Sequence, residues 1–256
     1  MKIATWNVNS IRQRERHVTE WLGRRQPDLL LLQEIKCEDT QFPALAFETL
    51  GYKAELVGQK SYNGVAILSK DRIEVTHRCL PGLPEGDAQS RYIEVRTEGL
   101  TVGNLYLPNG NSGAAEGYAY KLRWMEALAD RARILLDDET PFLLAGDYNV
   151  CPTDEDFAPG TLPAGDALLR PETRAAFRQL LWLGLTDAIR AVQPRGHAYT
   201  FWDYQGGAWR RDLGLRIDHA LLSPEVAERL RSATPDRHER DQPQPSDHVP
   251  VVLELG

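Results

Sequence analysis

The feature that most limits what this chain can become is a recurring pattern. Short apolar runs each end in a carboxylate or a carboxamide. The stretch PFLLAGDYNV at 141–150 is the clearest case: a run of apolar or small residues delivers Asp147 and Asn149 at its end. Such a run reads as a buried strand, and burying an unpaired charge is costly. Something must therefore pair with these groups or bind to them. The pattern repeats along the chain. Asn7 and Asn9 close the run at 3–8, and Gln33-Glu34 follow 28–32. Tyr106, Pro108 and Asn109 close 100–107, Asp218 lies within 215–222, and Asp247-His248 precede 249–253. Singly, each is an ordinary turn residue. Together they place polar groups where a rigid sheet presents its chemistry.

The pattern also indicates the fold class. Strands are expected at 3–8, 28–33, 52–57, 64–69, 92–96, 100–107, 142–145, 215–222 and 249–253, bounded by Gly, Pro or Asn. Ile11, Val18, Trp21 and Leu22 form one helical stripe. Leu122, Met125, Leu128, Ala129 and Ala132 form another, on a helix ending near 136. Phe177, Leu180 and Leu181 form a third, opened by Pro171-Glu172. Several strands follow one another directly, at 52–69 and 92–107, which favours antiparallel pairing with helices outside the sheets. The loops at 81–86, 158–165 and 235–245 read as surface loops, so one domain over 1–256 is expected.

Composition excludes several classes. No apolar run approaches the roughly 20 residues that span a bilayer, and the stretch MKIATWNVNS lacks the shape of a signal peptide. A cytoplasmic protein with no membrane partner is expected. Cys37, Cys79 and Cys151 are far apart and form no CxxC pair, which argues against a disulfide framework or a zinc site. Net charge is −7 and the pI about 5.5, without the basic footprint usual for nucleic-acid binders. A carboxylate-rich metal site lowers pI, however, and arginines do cluster at Arg12, Arg14, Arg16 and at Arg210, Arg211, Arg216.

The residue types suggest a chemistry. Carboxylate and amide oxygens suit a hard cation, Mg²⁺ or Mn²⁺. A histidine beside a carboxylate can present an imidazolium to phosphate. A metal, a carboxylate that activates water and such a histidine make a phosphodiesterase. No P-loop, GxSxG or dinucleotide fingerprint competes.

Eight stretches, taken together, resemble the exonuclease III family of abasic-site endonucleases within the endonuclease/exonuclease/phosphatase superfamily. They are ATWNVNSIR (4–12), PDLLLLQEIK (27–36), YNGVAILSK (62–70), NLYLPNG (104–110), FLLAGDYNVCPTDED (142–156), YTFWDY (199–204), GLRIDHALLS (214–223) and SDHVPVVLEL (246–255). They span the chain in the family's order. The resemblance implies a four-layer α/β sandwich: two packed, mostly antiparallel sheets flanked by helices.

By the same resemblance Glu34 is the principal metal ligand, with Asn7 beside it and Asp247 as an acidic partner. Asn9 falls where some members carry a metal-holding carboxylate. Asp147 activates or orients the attacking water, although the general base is disputed across such sites. Asn149 bonds the phosphate or the water. His248 contacts the phosphate and Asp218 orients it. Tyr106 contacts the scissile phosphate, with Asn109 beside it. Phe201, Leu215 and Ile217 line an apolar pocket for a baseless sugar, or else belong to the core. Trp202 and Trp209 pack in the core or contact the sugar-phosphate chain. Lys60, Arg91 and Arg216 are candidate DNA-backbone contacts. The run GNSGAAEGYA after Asn109 departs from the family, since it lacks the basic residue some members carry there.

The implied activity is divalent-metal-dependent hydrolysis 5′ to abasic sites in duplex DNA, with 3′-end trimming and 3′→5′ exonuclease activity. The expected partner is duplex DNA and the expected state a monomer. Two alternatives stay open: a lipid or inositol phosphate phosphodiesterase, and a non-catalytic nucleic-acid-binding regulator on the same fold.

Overall fold

The computed structural model describes residues 1–256. Twelve strands and six helices alternate irregularly: β1 Lys2–Asn7, α1 Ile11–Arg25, β2 Leu29–Gln33, α2 Ala44–Glu48, β3 Lys53–Val57, β4 Val65–Ser69, β5 Glu74–His77, β6 Tyr92–Thr97, β7 Leu100–Tyr106, α3 Ala114–Asp137, β8 Phe142–Asp147, α4 Pro171–Trp182, β9 Thr186–Asp187, α5 Ala188–Val192, β10 Asp218–Leu222, α6 Pro224–Glu228, β11 Leu230–Pro235 and β12 Val251–Leu255. They build two six-stranded sheets, ordered β11-β12-β1-β2-β4-β3 and β5-β6-β7-β8-β10-β9. Each sheet has one central parallel pair, β1 with β2 and β7 with β8. The other pairings are antiparallel.

The layering follows from strands that are apolar on both faces. In β2, Leu29 and Leu31 point between the sheets, where they meet Ile93, Val102 and Leu143 of the second sheet. Leu30 and Leu32 point outward and pack with Ile11, Val18 and Trp21 of α1. On the far side Leu105, Phe142 and Leu144 pack under Trp124, Met125 and Leu128 of α3 and Phe177 of α4. Helix, sheet, sheet and helix make the expected four layers. Two fully buried carboxamides join the sheets. Asn104 Nδ2 donates to the carbonyls of Leu32 (3.0 Å) and Ala66 (2.8 Å), and Gln33 Nε2 donates to Asn104 Oδ1 (2.8 Å) and Thr5 Oγ1 (2.9 Å).

Three strands escaped the sequence reading. β5, β9 and β11 lie at sheet edges, and β5 and β11 are only partly buried. Edge strands need no continuous apolar face, so their hydrophobic signal is weak. The third helix begins at Ala114, inside the glycine-rich run after Asn109 and ahead of the apolar stripe at 122–132. Its exposed first turn carries no apolar stripe. The run at 215–222 becomes a regular strand only at Asp218; Leu215 instead forms isolated bridges with Phe157 and Phe201.

One buried ion network gives the fold a pH signature. The Glu94 carboxylate of β6 is fully buried. It accepts hydrogen bonds from Arg131 (2.7 and 2.9 Å), Thr76 (2.7 Å) and Tyr92 (2.8 Å). Burial opposes its ionisation, yet Arg131, Thr76 and Tyr92 hold its pKa down to about 2. A carboxylate depressed in this way stabilises the fold above its unfolded pKa of about 4.3, and that stability is lost as pH falls toward 2. The contribution is roughly 3 kcal/mol. Urea titrations between pH 6 and pH 2.5 should show this loss in the native protein. Glu94→Gln should flatten the curve, and superimposable curves would contradict the assignment.

Candidate active site

Six strand ends converge on one edge of the sandwich. The parallel pairs bring Asn7 beside Gln33 in one sheet and Tyr106 beside Asp147 in the other. Asp218 opens β10 directly opposite Asp147. Asp247-His248 lead into β12, and an isolated bridge ties His248 to Phe201. Asn7 then links the two sheets: its Nδ2 donates to Glu34 Oε1 at 2.7 Å and to Asp147 Oδ2 at 3.0 Å.

Around Asp147 the contacts are dense. The backbone N–H of Asn149 donates to Asp147 Oδ1 at 2.9 Å. His248 Nε2 lies 3.7 Å from Asp147 Oδ2. His248 Nδ1 bonds Asp218 Oδ2 at 2.8 Å, which fixes the ring's tautomer and direction. Asn109 donates from Nδ2 to Asn149 Oδ1 at 3.0 Å, and Asn149 donates to the Leu107 carbonyl at 3.0 Å. On the other side, Asn9 Nδ2 donates to Asp247 Oδ1 at 3.2 Å. Arg91 lies over the Tyr106 ring, 4.6 Å from its centroid.

Charges follow from this packing. Burial works against a charged His248, but Asp218 and Asp147 overcome it and hold the imidazolium well above its usual range. Asp147 is pushed upward by burial and by the negative charges of Asp218 and Glu34, against the pull of His248. Burial also opposes ionisation of Glu34, but Lys36 and the Asn7 N–H keep its pKa low. Burial and the charges of Glu34 and Asp147 keep Tyr106 a neutral phenol, a hydrogen-bond donor.

The backbone here is unusual. Asn9 (φ 44°), Glu34 (φ 50°), Lys36 (φ 53°) and Asn149 (φ 50°) all adopt left-handed conformations. Asparagine tolerates this region, whereas Glu and Lys do so at a cost of about 1–3 kcal/mol each. Strain of this kind collects where a fold must aim a side chain.

The expected site residues thus divide into two groups. Glu34, Asn7, Asn9, Asp247, Asp147, Asn149, Asp218, His248, Tyr106, Asn109 and Arg91 all come to this edge. Phe201 also does: its ring lies 5.0 Å from that of His248. Leu215 and Ile217 are almost fully buried against Cys151 and Leu168, with Phe201 at the margin. Two expectations need correction. Arg216 is buried and its donors are taken by Asp156 (2.7 Å) and Asp187 (2.7 Å), so it cannot contact a DNA backbone. Trp202 is fully buried against Tyr199, Val249 and Trp209 and likewise cannot reach a substrate. Lys60 is exposed in the loop before β4.

Two lysines were missed. Lys36 Nζ lies 2.9 Å from Glu34 Oε2 and 2.5 Å from Asn9 Oδ1. Its position in QEIK, two residues after Glu34, was a usable signal. Lys121 is fully buried in α3 and donates to the backbone carbonyls of Asn149 (2.6 Å) and Asn109 (3.0 Å). Burial pushes its ammonium down to about 7, partly offset by Asp147 and Asp166. Its place on a helix gave no hint of these contacts.

Comparison with known proteins agrees with this architecture. The profile of the Endonuclease/Exonuclease/phosphatase family matches residues 4–248. The chain belongs to this family. Exodeoxyribonuclease III of Haemophilus influenzae is 35% identical over 267 aligned residues, covering all of both chains. The structure of the 3′ phosphatase NExo from Neisseria bound to a product DNA hairpin superposes with a TM-score of 0.95 at 40% identity, over 100% of this chain and 99% of that one. An AP endonuclease from Archaeoglobus fulgidus superposes at 0.93 with 36% identity, again over 100% and 99%.

In this family member the donor set fits a hard divalent cation. Glu34, Asp147 and His248 bring potential ligand atoms within 4.8 Å of one another. His248 Nδ1 is committed to Asp218 at 2.8 Å, while its Nε2 faces Asp147 Oδ2 at 3.7 Å. Of the carboxylates of Glu34, Asp147, Asp218 and Asp247, Glu34 pairs with Lys36, and Asp147 and Asp218 share His248. Asp218 Oδ1 is buried without a hydrogen-bond partner. This surplus of negative oxygen is suited to a cation.

Gly146, one residue before Asp147, has φ 153°, and a Cβ there would lie 1.9 Å from the Leu105 carbonyl. Gly146→Ala should therefore push β8 away from β7 and displace Asp147. Activity should fall at least tenfold, with about 1–3 kcal/mol of destabilisation in urea titrations. Full activity would show that the strand relaxes without moving the carboxylate.

Proposed function

We infer that this chain is a DNA repair nuclease that hydrolyses phosphate esters of duplex DNA with the help of Mg²⁺ or Mn²⁺. Its targets are the phosphodiester 5′ to an abasic site and phosphate-blocked or recessed 3′ ends. One observation carries the reading. Asp147 stands between the His248–Asp218 pair and the Asn7–Glu34 pair, at an edge lined by Tyr106, Asn109 and Asn149. The end-to-end superposition on a DNA-bound 3′ phosphatase supports it.

Phosphoryl transfer requires positioning and charge neutralisation more than covalent chemistry. His248, held charged by Asp218, binds the non-bridging oxygens. The Tyr106 phenol and the Asn109 carboxamide donate to the same group. Asp147 is buried and acceptor-only when ionised, so it orients the attacking water and takes its proton. Glu34, supported by Asn7 and Asp247, would hold the divalent cation, which when bound stabilises charge on the phosphoryl and leaving oxygens. Asn9 acts through its hydrogen bond to Asp247. Arg91, over Tyr106, contacts the DNA backbone at the rim. Phe201, with Leu215 and Ile217 behind it, forms the apolar wall beside His248.

The test is a labelled duplex carrying one abasic analogue, and a second duplex with a 3′-phosphate, each incubated with Mg²⁺ and with EDTA. A Mg²⁺-dependent cut on the 5′ side of the lesion, or release of the 3′-phosphate, is expected. Two inert DNAs in both Mg²⁺ and Mn²⁺ would overturn the reading. Asp147→Asn should lower kcat by about 10²–10⁴-fold while DNA affinity by gel shift is retained. Glu34→Ala should raise the Mg²⁺ concentration for half-maximal rate by at least tenfold, and an unmoved midpoint would remove Glu34 from the metal site.

A further inference from the structure

Lys121 is an ammonium in a place that gives it no carboxylate partner. It lies in α3, three and four residues before Trp124 and Met125, which pack into the outer core. Its side chain is fully buried. Its bonds go to two backbone carbonyls, Asn149 at 2.6 Å and Asn109 at 3.0 Å. A buried charge without a counter-ion is costly, and a methionine would fill the same volume without that cost.

What the two carbonyls share is their residues. Asn109 and Asn149 carry the carboxamides at the reactive edge, joined to each other at 3.0 Å. They sit on separate loops, after β7 and after β8. Asn149 is also in the left-handed region, at φ 50°. The lysine stem reaches both loops by passing Gly110, where a Cβ would lie 2.7 Å from Lys121 Cδ. We propose that Lys121 is a positioning residue: its ammonium clamps the backbone of Asn109 to that of Asn149 and so fixes the two carboxamides that meet the phosphate. The consequence for catalysis rests on the nuclease reading above; the clamp itself does not.

The test begins with Lys121→Met, which keeps the stem and removes the donors. Hydrogen exchange reads the clamp without any substrate. Amide exchange in 107–111 and 148–151 should rise at least tenfold, with other segments unchanged. On the abasic and 3′-phosphate duplexes kcat should fall about 10–100-fold, the scale typical of groups that orient ligands from behind, while the Mg²⁺ midpoint stays in place. With both Asn109→Ala and Asn149→Ala in place, the same substitution should cost less than threefold, because it would act through carboxamides already removed. Unchanged exchange in the two segments, or a full-sized loss when both carboxamides are already absent, would overturn the proposal. Should Lys121→Met not fold, Lys121→Gln, with a shorter neutral donor, should show intermediate exchange. A wild-type protein inert on both DNAs would defeat the nuclease reading, and the exchange measurement would still decide the clamp.

Discussion

The cleft depends on two sheets meeting in one register, and the buried carboxamides of Asn104 and Gln33 supply it. An apolar interface is non-directional and tolerates sliding. Asn104 does not. It reaches across the interface to the carbonyls of Leu32 and Ala66, and Gln33 reaches back to Asn104. A slip of one residue would leave these groups dry and unpaired, at about 1–3 kcal/mol each. Glu34 follows Gln33 by one residue, and Tyr106 follows Asn104 by two. The polar pair inside the core therefore sets the distance between the two halves of the site outside it.

That site is itself unfavourable for stability. It gathers like charges, buries an imidazolium and holds Glu34 and Lys36 in left-handed backbone. Networks elsewhere offset this. Asp156, buried, is held between Arg216 and Arg190. Glu239 binds His17 and Arg24, pinning α1 against the segment before β12. The arrangement is one of rigid framework and strained rim, with both parts drawing on the same strands.

The central strands were legible because they are buried on both faces; LLLLQ at 29–33 allows little else. The polar strand ends were legible because charge has no other reason to follow such runs. Edges and clamps were not. EVTH at 74–77 pairs only on one side and shows a weak apolar signal. Arg216 looked like a free cation because its partners, Asp156 and Asp187, lie 60 and 29 residues away. Lys121 gave no signal because its acceptors are backbone carbonyls, which no side-chain pattern encodes. Trp202 looked available because aromatic residues serve cores and nucleic acids alike.

The position of β12 has a consequence in time. The first strand of the chain pairs with the last, Thr5 opposite Val251 and Lys2 opposite Glu254. Asp247 and His248 immediately precede that last strand. During synthesis Glu34, Asp147, Asp218 and the loops bearing Asn109 and Asn149 emerge first, and Asp247 and His248 join them only when residues 246–255 close against β1. Long-range closure of this kind is slow compared with local folding. A nascent chain thus carries Glu34, Asp147 and Asp218 before His248 has reached them, and the cleft is complete only once β12 pairs with β1.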